Sequence, residues 1–264
     1  MPHRCVIPSI GRPRYPTSQS PRPDRCPLQR FTTVVRRFQP TLPCTPFRVS
    51  TTDQESPPLA SELIHAILLL GAPGTGKGTQ GAILGQVPGF VHQSSGDIFR
   101  SMDPNSEIGK LFRSYSEKGE LVPDDVTIRI WKQDVDRRIA AGTFRPTSDL
   151  LVLDGIPRTP SQAKLMNELL EVHSVIHLSC KDEEALVERL RKRAQKQNRP
   201  DDAKPDVIRR RLEVYREETR PVLECYDKSI IHKIDPLGTP ATVLRDILSV
   251  VAPIQADVLG NALA

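Results

Sequence analysis

No apolar run in this 264-residue chain approaches the ~20 residues that a membrane-spanning helix needs. The longest candidate, residues 64–70, is interrupted by His65 and has the length of a strand, so a soluble protein with no membrane partner is expected. Cysteine chemistry is equally thin. Of five cysteines, Cys5, Cys26 and Cys44 fall in the first 60 residues, while Cys180 and Cys225 are far apart and lack metal-ligand spacing. Neither a disulfide framework nor a zinc site is expected of them. There is no internal repeat either.

Lysine is missing from residues 1–60, which hold nine Arg and only three acids, Asp24, Asp53 and Glu55. The chain's net charge of +5 is therefore misleading, because everything after residue 60 sums to −1. Nucleic-acid binding by the main body is not expected. Residues 1–60 also carry twelve of the 25 prolines and almost no apolar periodicity. Such a segment cannot bury enough surface to offset the entropy of ordering, and disorder is expected there. Its Arg-rich, acid-poor character fits an organelle transit peptide, although the prolines oppose the amphipathic helix that such peptides use. Alternatively the segment is translated upstream sequence with the true start near Leu59, which requires a non-Met start because the next methionine is Met102.

From residue 63 short apolar runs alternate with longer amphipathic segments, a pattern that predicts a parallel sheet covered by helices. Strands are expected at 64–70, 90–93, 150–153, 174–178 and 230–234. Helices are expected from about 76, and at 123–141, 160–171, 182–194, 206–229 and 240–251. Two stretches break the alternation: residues 94–122, with short helical patterns, and the polar, Pro-punctuated loop 194–205. Both are candidates for moving parts.

GAPGTGKGTQ at residues 71–80 follows the first expected strand and opens the first expected helix. Glycines there let successive backbone N–H groups converge on phosphate oxygens at a helix N-terminus, and Lys77 adds a mobile positive charge. One thing is missing. The common phosphate-loop pattern places Ser or Thr after Gly-Lys to ligate Mg²⁺, whereas here Lys77 is followed by Gly78.

Taken with SSGDIFR at 94–100, GELVPDD at 119–125, DGIPRTPSQ at 154–162 and NRPDD at 198–202, the loop resembles that of the adenylate kinase family of nucleoside monophosphate kinases, in which Gly-Lys-Gly-Thr is the usual form. The resemblance spans about residues 64–250. It implies a three-layer α/β phosphate-loop fold with a five-stranded parallel sheet, within a domain at 61–252 followed by a tail at 253–264. Residues 94–123 would form a small helical monophosphate-binding insertion and residues 193–205 a short lid. The implied reaction is reversible γ-phosphoryl transfer from ATP to AMP, giving two ADP, by a monomer in the cytoplasm, or in an organelle matrix if residues 1–60 are a transit peptide. Alternatives are a kinase of another monophosphate, such as UMP or CMP, and a non-catalytic nucleotide-binding paralogue.

In-line phosphoryl transfer needs positioning and charge neutralisation more than a nucleophilic side chain, so cations are the expected catalysts. By the resemblance these are Lys77, Arg100, Arg158, Arg193, Arg199 and Arg211, with Arg210 an alternative to Arg211. ATP would be held by Gly74, Thr75, Gly76, Lys77, Gly78, Thr79, Arg193 and Gly238. AMP would be held by Ser95, Arg100, Glu120, Leu121, Val122, Gly155, Ile156, Pro157, Arg158, Gln162, Arg199 and Arg211. Leu121 and Val122 could equally belong to the core. The Gln162 amide suits adenine's mixed donor and acceptor edge, while Ser95 and Ile156 depart from the Thr and Phe usual in the family. Asp154, at the end of an apolar strand, would organise Mg²⁺ through water, with Thr79 nearby. Asp201 and Asp202 resemble the acidic pair that positions the lid's arginines.

Overall fold

The computed structural model describes residues 63–197 and 204–260. The expectations placed on residues 1–60, Arg199, Asp201 and Asp202 lie outside them. Among the described residues five strands form one sheet: β1 (Ile64–Gly71), β2 (Phe90–Ser94), β3 (Leu150–Asp154), β4 (Leu170–Leu178) and β5 (Ile231–Ile234), in the order β2-β3-β1-β4-β5. Every pairing is parallel. The two central partners of β1 cover both its edges, and helices cover both its faces, which is why its sequence is a nearly continuous apolar run.

Alternation along β1 divides the core into two layers. Ala66, Leu68 and Leu70 pack with Trp131, Val135 and Met166 from α4 (Asp124–Ala140) and α5 (Pro160–Asn167). Ile67 and Leu69 face the other way, onto Leu84 of α1 (Lys77–Leu84) and Val243, Ile247 and Val251 of α8 (Pro240–Leu259). Between β2 and α4 lie two short helices, α2 (Ser95–Arg100) and α3 (Glu107–Ser116), each capped by a serine hydroxyl that accepts from a backbone N–H, Ser94 for α2 and Ser106 for α3. Phe99, Val122 and Ile130 form a separate small core there.

Three boundaries differ from expectation. Helix α5 stops at Asn167, because Leu170–His173 join β4 rather than extending the helix. The single helix expected over 206–229 is instead α7 (Pro205–Val214), a π turn at Tyr215–Thr219 and a 3₁₀ segment at Arg220–Cys225, the last forced by Pro221, which has no N–H to continue the ladder. Helix α8 runs on to Leu259 through Pro253, so most of the stretch expected as a tail is helical. Helix α6 (Glu183–Gln197) leads up to the polar loop. No helix of the described residues is long and apolar enough to cross a membrane.

Buried polar groups pin β2 to α4. The Gln93 amide donates to Asp134 at 2.8 Å, Arg138 Nε donates to the same carboxylate at 2.7 Å, and Arg137 donates to its other oxygen. Burial works against this charge, but the bonds from Arg138 and Gln93 prevail and hold Asp134 below its usual value of 3.8. Because its folded pKa is depressed, its contribution is present at neutral pH and is lost as pH falls through that value. Asp134→Ala strands the buried Gln93 donor and should cost about 2–3 kcal/mol. Urea denaturation at pH 7 measures this loss, and the gap from wild type should narrow below pH 3.8.

Candidate active site

The chain runs from β1 out to the β2 edge, back to β3, and only then across to β4 and β5, which opens a crevice at the carboxyl ends of the central strands. The β1–β3 register pairs Leu69 with Asp154, so the loop leaving β1 begins beside that carboxylate. The loop turns into α1 through Gly76, whose φ is 92°. Lys77 Nζ donates back to the carbonyl oxygens of Gly71 and Ala72, at 2.7 and 3.1 Å. Thr75 is buried and donates to Ala72 at 2.8 Å.

A cavity of about 870 Å³ extends from this loop in both directions. Its centre is cationic: Lys77, Arg158, Arg193 and Arg211 line it from four different segments, with Asp154 beneath. Burial, and then the charges of Arg158, Arg193 and Arg211, push Lys77 down to about 8 against the pull of Asp154. Burial and Arg211 push Arg158 down to about 10. Holding like charges this close costs the ligand-free protein stability, and an anion bound among them removes the cost. Arg210 lies off the cavity and pairs with Glu213 at 3.5 Å, so Arg211 is the member of that pair that faces it.

Gly78 has a local explanation. A Cβ at this position would lie 3.3 Å from Asp154 Oδ2, so a Ser or Thr side chain would press against the carboxylate at the foot of the cavity. Thr79, one residue on, is exposed and lines the cavity instead. His92 Nε2 also stands 3.9 Å from Asp154 Oδ2, the His92 ring resting on Gly81 of α1 and its Cβ on Gly85 just after that helix. Burial lowers the His92 pKa despite Asp154, so the ring is a neutral wall.

Gly155 carries φ of 76°, and a Cβ there would meet Ser95 Oγ at 2.9 Å and an Arg158 nitrogen at 3.0 Å. That close approach lets Ser95 donate to the Gly155 carbonyl at 2.7 Å and Arg158 Nε donate to the same oxygen at 2.7 Å. The Gln162 side-chain oxygen accepts from Arg158 N–H, and its nitrogen donates to Asp124, each at 2.7 Å. One amide hydrogen and one lone pair of Gln162 remain beyond these bonds. Arg100 sits at the end of α2, bonded to Asp97 at 2.5 Å.

Gly74, Glu120, Leu121, Val122, Pro157 and Gly238 line the cavity as well. Val122 is also core, packed with Phe99 and Ile130. Ile156 requires correction. It is 0% exposed and packs in the layer of Leu68 and Trp131, so its side chain does not reach the cavity. Several lining residues were not anticipated. Arg189, Lys192 and Lys196 share a face of α6 with Arg193, a spacing legible as i, i+3, i+4, i+7. Arg189 donates to the Pro236 carbonyl at 2.7 Å, and Gln80 to that of Pro240 at 3.1 Å, fixing the segment around Gly238. Phe99 and Phe112 stack at the far end, ring centroids 5.1 Å apart.

A family model described as adenylate kinase matches residues 69–231. The chain is 38% identical over 189 residues to an adenylate kinase of Kocuria rhizophila, covering 69% of this chain and 96% of that protein. It is 36% identical over 190 residues to one of Thermus thermophilus, 69% and 95% respectively. It is 40% identical over 171 residues to one of Corynebacterium diphtheriae, 62% and 87%. The chain belongs to the adenylate kinase family.

In this member of the family the depressed Lys77 has a measurable consequence. An anionic ligand would favour the protonated ammonium, which the ligand-free cavity half loses at about pH 8. Affinity for a nucleoside triphosphate should fall about tenfold per pH unit above 8, because binding must then take up a proton. Calorimetry at pH 7 and pH 9.5 tests this; equal affinities at the two values would contradict the Lys77 environment.

Proposed function

We propose that the protein catalyses reversible transfer of the γ-phosphoryl group of ATP to AMP, giving two ADP. The observation that carries this reading is the convergence of Lys77, Arg158, Arg193 and Arg211 on one cavity beside a phosphate loop. A binder of a single nucleotide needs the loop; cations gathered from four segments suit phosphates that meet in the middle. An oxygen of the AMP phosphate attacks the γ-phosphorus in line, the bond from that phosphorus to the β-bridging oxygen breaks, and ADP leaves on either side. No side chain need accept a proton. Catalysis rests on alignment and on neutralising the charge of the equatorial oxygens.

ATP lies with its phosphates on Gly74–Thr79 backbone N–H groups and Lys77, and its base toward Gly238. AMP lies between α2 and the segment Glu120–Val122, its phosphate on Arg100 and Arg158 and its adenine on the remaining capacity of Gln162. In this reading the segment carrying α2 and α3 closes over the monophosphate, and the end of α6, with Arg193, descends over the transferring group, excluding the water that would otherwise hydrolyse ATP. Asp154 and Thr79 offer hard oxygen donors beside the phosphate loop, a set that fits Mg²⁺ retaining several waters. When bound with ATP the ion would neutralise phosphate charge.

A coupled assay with ATP, Mg²⁺ and a panel of AMP, dAMP, GMP, CMP and UMP tests the assignment, with AMP expected as the preferred acceptor. Lys77→Ala and Arg158→Ala should each lower kcat/KM by about 10² to 10⁴. Less than a tenfold loss in both would place the chemistry elsewhere.

A further inference from the structure

At the opposite end of the sheet from the cavity, three potential metal ligands converge. His65 opens β1, and Glu171 and His173 lie near the start of the adjacent β4. His65 Nδ1 stands 2.9 Å from His173 Nε2 and 3.1 Å from Glu171 Oε2, and one ligand atom from each residue falls within 4.8 Å of the other two. We propose that His65, Glu171 and His173 form a binding site for a late first-row divalent metal ion, Zn²⁺ being the best match.

Backbone geometry builds this cluster. The β1–β4 register pairs His65 directly with Glu171, then slips by one between Ala66 and Ile67, leaving His173 as the extra residue on β4. A bulge of this kind re-aims a side chain, and this one brings His173 to the His65 nitrogen that already faces Glu171. The arrangement is poorly served by protons. One N–H on His65 or His173 can satisfy the other ring or the carboxylate well, but both only as a shared donor. A cation takes all three lone pairs at once. Tetrahedral ligands 2.0–2.1 Å from a zinc ion are about 3.3 Å apart, and His65 Nδ1 stands 2.9 Å from His173 Nε2 and 3.1 Å from Glu171 Oε2. Two imidazoles exclude Mg²⁺ and Ca²⁺ as preferred ions, since these select oxygen. His65 and Glu171 keep 30% and 52% of their side chains exposed, which gives an ion access and leaves coordination positions for water.

The site is separate from catalysis: five residues of β1 lie between His65 and Gly71, a span of about 20 Å. The full chain, stripped with a chelator and dialysed, should bind one Zn²⁺ in competition with a chromogenic chelator. The double variant His65→Ala/His173→Ala should weaken that binding at least 100-fold while retaining adenylate kinase activity, which reports that it is folded. The milder Glu171→Gln should weaken binding about tenfold. Co²⁺ in place of Zn²⁺ should give a visible spectrum of nitrogen and oxygen ligation. Binding unchanged in the double variant, a thiolate-to-Co²⁺ charge-transfer band, or no binding below 100 µM Zn²⁺ would each overturn the proposal.

Discussion

An ammonium group held among arginines is the constraint around which this fold is organised. Lys77 would be better hydrated, and less repelled, almost anywhere on the surface. It stays in the cavity because the loop that carries it is anchored on both sides, by β1 buried between β3 and β4 and by α1 packed on the second core layer. The bonds from Nζ to Gly71 and Ala72 hold the charge in reserve, on carbonyl oxygens that phosphate oxygens can replace. Scaffold stability is thereby spent on preorganisation, the state in which an electrostatic catalyst is most effective.

The same logic explains why the loop does without a hydroxyl after its lysine. Asp154 arrives from β3 in register with the end of β1, so the floor of the cavity is already occupied by a carboxylate. Gly78 leaves it room, and His92, kept neutral by burial, closes the other side without adding charge. Gly155 then brings its carbonyl to both Ser95 and Arg158, joining the start of α2 to an arginine of the central cluster. The start of α2 and the orientation of Arg158 thus share one acceptor, a physical link between α2 and the centre of the cavity.

Much of this was legible in the sequence. All five strands follow from apolar runs, and the glycine-rich loop and most of the cationic cluster follow from motifs placed between those strands and helices. The misreadings have local causes. Leu169–Glu171 reads as the tail of an amphipathic helix until β1 supplies a partner strand, so the helix expected over 160–171 is too long. Thr219 and Arg220 carry no sign of a helix changing its hydrogen-bond period, and the helix expected over 206–229 runs through Pro221, which has no N–H to continue it. Ile156 sits in a motif that borders the cavity, yet which way a side chain leaves a loop depends on the core behind it. Arg189, Lys192 and Lys196 were readable as a helical face, but their spacing alone does not distinguish a cavity wall from a solvated surface.

The two ends of β1 are electrostatic opposites, and the topology makes them so. In a parallel sheet with helical crossovers, each helix begins near the carboxyl end of the strand before it and finishes near the amino end of the next. Helix N-termini carry partial positive charge and C-termini partial negative charge. Helix α1 therefore turns its positive end to the cavity, starting immediately after Gly76. Helix α5 ends at Asn167, three residues before β4 opens and close in sequence to Glu171 and His173. An anion at one end of the β1–β4 pair and a cation at the other is thus the distribution that the backbone itself favours. A metal ion joining His65 to His173 would clamp the two strands whose opposite ends fix the phosphate loop, without entering the chemistry performed there.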